Sequence, residues 1–175
     1  MQIKIRPRRL KVTDAKELYT ALSPEIFLYL KSPYPKSLEE EKRYLIKLIR
    51  EMSKDKSCYY VYRKKGMGVV GFGGIKIKEH FAELSLWVRS DLWGRGIGKL
   101  ILDHLQKIAS KKNKTAVIAS HRNNRRAIKL YLSSGFIRLK NKEEIIKMFS
   151  RYDHKLVYFL SSRFETSSAA AHIDG

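Results

Sequence analysis

Residues 82–99 read AELSLWVRSDLWGRGIGK, and they pass from a regular alternation to a glycine-rich turn. Apolar residues occupy every second position of the first part, which is the period-2 pattern of a strand with one buried face. The alternating residues are Ala82, Leu84, Leu86 and Val88. Three glycines follow within positions 94–98, and apolar residues at helical spacing over 97–108 then predict an amphipathic helix.

The glycine-rich turn predicts a site for a phosphate group. Closely spaced glycines let successive backbone N–H groups converge, and the free amides at a helix N-terminus add partial positive charge. The residues of this turn are Gly94, Arg95, Gly96, Ile97, Gly98 and Lys99, and we expect Arg95 and Lys99 to add full charges. The spacing G-x-G-x-G is neither a Walker loop nor the dinucleotide fingerprint. On these residues alone, a strand-to-helix turn without a ligand stays an alternative.

Hydrophobic periodicity on either side of this frame predicts the remaining elements. Strands are expected at 2–10, 58–62, 69–77, 115–120, 136–139 and 155–160, and helices at 13–22, 26–30, 38–52 and 124–133. This order is typical of an α+β or mixed α/β single domain, with a helical crossover between neighbouring strands in its second half. We expect the domain to span 1–161 and the small, polar residues 162–175 to form a disordered tail.

The composition excludes several classes of protein. A chain of 175 residues suits one domain, and its single cysteine, Cys58, excludes a disulfide scaffold. No apolar run approaches the roughly 20 residues of a membrane span, and the first residues lack the apolar stretch of a signal peptide. No cluster of Cys and His has the spacing of metal ligands. We therefore expect a cytoplasmic protein without a membrane or metal requirement.

A second motif follows the predicted strand at 115–120. Residues 124–136 read NRRAIKLYLSSGF, in which Asn124, Ala127 and Tyr131 share one helical face. This N-x-x-A-x-x-x-Y-x-x-x-G-F pattern, downstream of the glycine-rich turn, resembles the GNAT superfamily of acetyl-CoA-dependent N-acetyltransferases. The resemblance covers residues 69–160, and residues 8–30 look like the start of the ribosomal-protein N-acetyltransferase branch. It implies a single domain with a central mixed sheet of about six to seven strands flanked by helices.

The resemblance also implies roles for individual residues. Main-chain groups of Leu86, Trp87 and Val88 would bind the pantetheine arm of acetyl-CoA, and the turn at 94–99 would hold its diphosphate. Asn124 would contact the same cosubstrate, and Tyr131 would lie near the thioester sulfur and assist its departure. Trp93 departs from the family, in which Gln or Arg usually opens the turn, and this puts one side-chain contact in doubt.

The group that takes up the proton of the amine is less clearly marked. Glu83 lies on the strand that leads to the turn, where related enzymes often place a carboxylate, and His121 is a second candidate. Another branch of the family has a Glu five residues before the helix-opening Asn, but this chain has Ala119 there. An ordinary exposed carboxylate and a solvated loop histidine stay as alternatives. The lack of a strong base favours an α-amine, with a pKa near 8, over a lysine.

The chain is strongly basic, with 37 Lys and Arg against 17 Asp and Glu and a net charge of +20. Such a charge attracts acidic partners and repels polycations. We therefore expect an N-acetyltransferase whose acceptor is a protein or peptide N-terminal α-amine, attacked directly in a ternary complex, with an acidic or ribosomal partner. A small-molecule amine acceptor and a non-catalytic acyl-CoA-binding or ribosome-associated module stay as alternatives. Nucleic-acid binding and a generally basic proteome are further explanations of the charge.

Overall fold

The computed structural model describes residues 4–30, 33–54 and 56–161, so the expected disordered tail lies outside the described residues. The strands are β1 (Arg6–Arg9), β2 (Ser57–Lys64), β3 (Gly68–Ile77), β4 (Phe81–Val88), β5 (Thr115–His121), β6 (Phe136–Leu139) and β7 (Leu156–Ser161). The helices are α1 (Ala15–Ala21), α2 (Pro24–Phe27), α3 (Leu38–Met52), α4 (Ile97–Lys111), α5 (Arg125–Ser133) and α6 (Lys142–Phe149). Short 3-10 turns occur at Val12–Asp14 and Ser90–Leu92.

The strands form one mixed sheet in the order β1-β2-β3-β4-β5-β7-β6. Each pair of neighbours is antiparallel except β4 and β5, which are parallel and are joined through α4. This arrangement confirms the predicted α+β domain with a mixed sheet of six to seven strands. No helix in the described parts of the chain combines the length and the apolar content that a membrane crossing requires.

Helices cover both faces of the sheet. On one face α4 packs against β3 and β4 through buried side chains that include Ile101 and Leu105. The approach is close because β3 carries glycines: a Cβ on Gly71 would lie 2.7 Å from Ile101 Cδ1. On the other face α1 and α3 bury Leu18 and Leu45, while α6 buries Phe149 against β5 and β7. The sheet is therefore held between two apolar layers.

The structure differs from the sequence-based elements mainly at α6, which was not predicted. Asn141 caps this helix, since its side-chain oxygen accepts a hydrogen bond from the Glu144 N–H at 3.0 Å. Ile145, Met148 and Phe149 provide its buried face. The helix matters for the site below because the chain that leaves it carries Arg151 back towards β4.

Candidate active site

The main feature of the sheet is a gap between its two parallel strands. β4 pairs with β5 from Phe81, opposite Thr115, to Leu84, opposite Ile118, and the strands separate beyond these residues. A cavity of about 610 Å³ lies at this gap, within the size range of small-molecule sites. Its wall includes residues from β4, β5, α4 and α5 together with the segment that follows α2.

The separation leaves main-chain groups of β4 facing the cavity. The Arg89 N–H donates to the Val70 carbonyl of β3, and polar groups along an antiparallel strand alternate in direction. Val88 and Leu86 therefore direct their N–H groups away from β3, towards the gap. Trp87 alternates the other way: its main chain faces β3 and its indole stacks on Phe72, with the ring centroids 6.2 Å apart.

The predicted phosphate turn presents free amides. Gly94 and Gly96 have φ values of +77° and +78°, a backbone conformation that glycine adopts without strain. Gly96 precedes the first residue of α4, and its carbonyl accepts the N–H groups of Lys99 and Leu100. Among the described residues, no acceptor is found for the N–H groups of residues 94–98. These amides and the N-terminus of α4 make a cradle that suits a diphosphate.

The charged side chains of the turn are arranged differently from the expectation. Lys99 forms an ion pair with Asp103, with Nζ–Oδ distances of 2.8 and 2.9 Å, and neither Lys99 nor Arg95 lines the cavity. The guanidinium of Arg126, on the first turn of α5, lies instead over the Trp93 ring with its Cζ 3.7 Å from the centroid. Trp93 is itself fixed by a 2.9 Å hydrogen bond from Nε1 to the Val88 carbonyl.

Helix α5 brings two predicted residues to the cavity. Asn124 caps the helix, with its Oδ1 accepting from the Ala127 N–H at 3.1 Å, so its side-chain NH₂ group stays available to a ligand. Tyr131 lies about two turns further along the same helical face and is 5% exposed. Its ring packs edge-on against Phe159, with the centroids 5.4 Å apart. Burial raises the pKa of the Tyr131 phenol above its ordinary value of 10, so the group keeps its proton.

Glu83 lies in the paired part of β4, opposite Val117, and its carboxylate contacts two cations. Its Oε1 is 2.5 Å from Arg151 Nη2, and its Oε2 is 3.3 Å from Lys78 Nζ. Lys78 also donates to the Met148 carbonyl at the end of α6. Among the described residues that line the cavity, Glu83 is the single carboxylate. Each oxygen of the Glu83 carboxylate therefore has one cation beside it.

His121, the second candidate for the base, is held as a hydrogen-bond donor. Its Nδ1 accepts from the Asn123 N–H at 3.2 Å, and this assigns the ring proton of the neutral imidazole to Nε2. The ring lies beside Tyr29, with the centroids 6.0 Å apart, and both residues line the cavity. In a neutral ring of this tautomer, the Nε2–H is the hydrogen-bond donor.

Sequence reasoning missed Arg151 and did not single out Tyr29 as an individual residue. Arg151 follows α6, so the capping pattern of Asn141 and Glu144 was the signal that could have located it. Tyr29 follows the short helix α2 and carries no motif. Its contact with His121 joins positions 92 residues apart in the chain and has no counterpart in local periodicity.

Comparison with solved structures shows the same fold in several acetyltransferases. One from Salmonella typhimurium, which modifies the N-terminal serine of ribosomal protein L7/L12, has a TM-score of 0.74, 13% identity and coverage of 89% of this chain and 93% of the other. The PaiA N-acetyltransferase of Thermoplasma acidophilum, solved with coenzyme A, has a TM-score of 0.69 and 20% identity, with coverage of 91% of this chain and 99% of the other. A chimera of the spermidine N-acetyltransferase SpeG, from Vibrio cholerae and hSSAT, has a TM-score of 0.68 and 16% identity, with coverage of 89% of this chain and 93% of the other.

Comparison with curated proteins gives no match. The model of the acetyltransferase (GNAT) family matches residues 18–136, more than half of the chain, and includes β4, the glycine-rich turn and all of α5. The free amides of the turn and the N-termini of α4 and α5 lie within the matched residues. The chain therefore belongs to the GNAT family and is an acetyl-CoA-dependent N-acetyltransferase.

Proposed function

We propose that the acceptor of this acetyltransferase is the N-terminal α-amine of a protein or peptide. The observation that carries the proposal is the state of Glu83, whose two oxygens are paired with Arg151 and Lys78. A polyamine carries several cations, and each would need an acceptor in the site. The acceptor side of this cavity offers donors instead, from Arg151 and from His121 Nε2. Donors suit the carbonyl oxygens that follow an N-terminal amine.

The cavity also fits the donor of the acetyl group. The free amides of residues 94–98 and the N-terminus of α4 are placed for the diphosphate, and the N–H groups of Leu86 and Val88 are placed for the amides of the pantetheine arm. Asn124 adds a side-chain NH₂ group. The arm would then run along β4 from the turn towards Tyr131 and Glu83. Acetyl-CoA supplies a thioester that a neutral amine can attack directly.

In this reaction the protein mainly positions two reactants and stabilises charge. Holding the amine and the thioester together converts a bimolecular step into an effectively unimolecular one. The Val88 N–H is placed to donate to the carbonyl oxygen as negative charge develops on it. Tyr131 donates a hydrogen bond to the leaving sulfur. Because its pKa lies above that of a thiol, the proton stays with the phenol through most of the step.

The proton of the amine needs only a modest acceptor when the acceptor is an α-amine. Such a group has a pKa near 8, so a sizeable fraction is neutral at pH 7.5, whereas a lysine is almost entirely charged. We propose Glu83 as the carboxylate that takes up this proton, directly or through water, after Arg151 moves with the incoming peptide. Arg151 is the more exposed partner, at 45%, and is free to exchange Glu83 for a carbonyl or carboxylate of the peptide.

We further propose an acidic or ribosome-associated protein in the cytoplasm as the acceptor. The net charge of +20 favours association with an acidic chain. The structurally similar enzyme from Salmonella typhimurium acts on ribosomal protein L7/L12, which supports this class of acceptor. The similar SpeG chimera acts on spermidine, and the paired Glu83 is the observation that weighs against that class here.

The test is an acetylation screen of the full chain with labelled acetyl-CoA. The panel contains peptides with free N-termini, the same peptides with a formyl-blocked N-terminus and an internal lysine, spermidine and an aminoglycoside. We expect label only on the free N-termini, as located by mass spectrometry. Faster transfer to spermidine or to the aminoglycoside would overturn the proposal. Coenzyme A binding without transfer to any amine would support the binding module instead.

A further inference from the structure

The cosubstrate cradle lacks the charges that its own turn was expected to provide. Lys99 is paired with Asp103 on the outer side of α4, and Arg95 is exposed away from the cavity. A diphosphate carries two negative charges, and backbone amides contribute only partial positive charges to balance them. Neither cation of the turn lines the cavity, and the cation that does so beside the turn belongs to another element.

A cation of α5 lies against the residue that opens the turn. Arg126 lies over Trp93, which directly precedes Gly94, and both side chains line the cavity. No carboxylate pairs with Arg126 among the described residues, so its N–H groups are free. The stacking partner is itself immobilised, since Trp93 Nε1 donates to the Val88 carbonyl. The guanidinium thus lies over the ring beside the cradle, and the described residues provide no counter-ion for it.

We propose that Arg126 is the side-chain cation that binds the diphosphate of coenzyme A, and that Trp93 is the residue that positions it. Stacking occupies the face of a guanidinium and leaves its edge free for two parallel hydrogen bonds to phosphate oxygens. It also restricts a side chain that otherwise loses considerable rotamer freedom on binding. Trp93 stands where the family usually has Gln or Arg. In this chain, Arg126 of α5 would supply the side-chain contact that this exchange removes.

The inference rests on the proposed binding of acetyl-CoA at this cradle, and calorimetry with coenzyme A separates the two. We expect Arg126→Ala to raise the Kd of coenzyme A about tenfold. The matched control is Arg125→Ala, which removes an exposed arginine from the same helical turn and should change the Kd less than about twofold. A wild-type chain that binds no coenzyme A contradicts the proposed function. Wild-type binding with an unchanged Kd in Arg126→Ala contradicts only this inference.

Coenzyme A carries a second phosphate group, on its ribose, and dephospho-coenzyme A lacks it. If Arg126 binds the diphosphate, Arg126→Ala raises the Kd of coenzyme A and that of dephospho-coenzyme A by the same factor. A loss seen only with coenzyme A assigns Arg126 to the ribose phosphate and overturns the proposal.

A double-mutant cycle tests the role of Trp93. We expect Trp93→Ala to weaken coenzyme A binding, and the double variant with Arg126→Ala to bind no more weakly than Arg126→Ala alone, because the two residues act as a unit. Arg126→Lys should recover only part of the loss, since an ammonium keeps the charge without the planar fork. Additive losses in the double variant would show that Trp93 does not position Arg126. Thermal melts confirm that each variant is folded.

Discussion

Tyr131 combines deep burial with a hydroxyl that has no partner among the described residues. Burial raises the pKa of this phenol, so it is a proton-bearing donor across the working pH range. We expect Tyr131→Phe to lower kcat about 100-fold, because the leaving sulfur loses its hydrogen bond. The Kd of coenzyme A, measured by calorimetry, should change less than about twofold. Steady-state kinetics with a peptide acceptor give kcat.

The control for this variant is Tyr19→Phe, which removes a phenol from α1, outside the cavity. It should have wild-type kcat. An unchanged kcat in Tyr131→Phe would show that the hydroxyl plays no part in the reaction, and that Tyr131 only packs against Phe159 and Phe136.

Substitution of Glu83 is expected to lower kcat less than substitution of Tyr131, because a sizeable fraction of the α-amine is already neutral. Glu83→Gln keeps the shape of the side chain and removes its ability to take up a proton. We expect kcat to fall about tenfold at pH 7, and the loss to shrink at higher pH, where more of the α-amine is neutral. Glu79→Gln, at an 86% exposed carboxylate in the preceding turn, is the control. A loss that stays constant across the pH profile would rule out a proton-accepting role.

Single residues were predictable where a motif fixes them and not where a tertiary contact does. Asn124 and Tyr131 follow from the spacing along one helix, and the glycines from the turn they form. The stacking of Arg126 on Trp93 and the pairing of Glu83 with Arg151 join different elements. Such contacts depend on how the elements pack, which periodicity does not encode. The expected charges at the turn were assigned to Arg95 and Lys99, and Lys99 pairs instead with Asp103, one helical turn away.

Among the elements, α6 shows how a short helix supports the site from a distance. Asn141 caps it, and the chain beyond it places Arg151 beside Glu83. We expect Asn141→Ala to lower the free energy of unfolding by about 1 kcal/mol, since the Glu144 N–H loses its acceptor. Asn141→Asp retains an oxygen at this position and should have wild-type stability. Urea unfolding measures both, and equal stability of the Ala variant would show that the cap contributes nothing.

Helix α3 carries a buried carboxylate that makes stability depend on pH. Glu41 is 6% exposed, and burial raises its pKa from 4.5 to about 7. Below pH 4.5 the group is protonated in both the folded and the unfolded chain and costs nothing. As the pH rises from 4.5 to about 7, the unfolded chain releases the proton first, so the free energy of unfolding falls.

Glu41→Gln removes this cost because an amide imitates the protonated acid. We expect the variant to be more stable than wild type by about 2 kcal/mol at pH 8 and equally stable at pH 4. Glu39→Gln, at a 71% exposed carboxylate on the same first turn, should show no such pH dependence. Urea unfolding at both pH values measures the difference. A gain that is the same at pH 4 and pH 8 would contradict the assigned cause.

The elements themselves were largely predictable, because most of them have a clear period. The predicted bounds of α3 and β6 are those observed, and β3 and β5 differ by one residue at one end. The predicted strand 2–10 is limited to Arg6–Arg9 in the described residues. Helix α6 is short, and only its cap and three buried residues mark it. The separation of β4 from β5, which creates the site, depends on three-dimensional pairing, which periodicity does not encode.

At the scale of the whole molecule, several of the described acidic side chains form local ion pairs with Lys or Arg. Asp14 and Glu17 pair with Arg8 and Arg63, and Asp103 pairs with Lys99. Each such pair uses one cation for one carboxylate, so the net charge of the chain stays at +20. A field of this sign raises the local concentration of an acidic acceptor and lowers that of a basic one.

Because of this field, we expect salt to weaken the binding of an acidic acceptor and to leave the rate of the chemical step unchanged. Raising the ionic strength from about 0.02 to 0.2 M shortens the screening length to less than 10 Å. We therefore expect kcat/KM for an acidic peptide to fall about tenfold, through KM, with kcat unchanged. A neutral peptide with the same first three residues serves as the control and should change less than about twofold. Equal slopes for the two peptides, with coenzyme A saturating, would mean that the charge of +20 does not select the acceptor, and that its role lies with another partner.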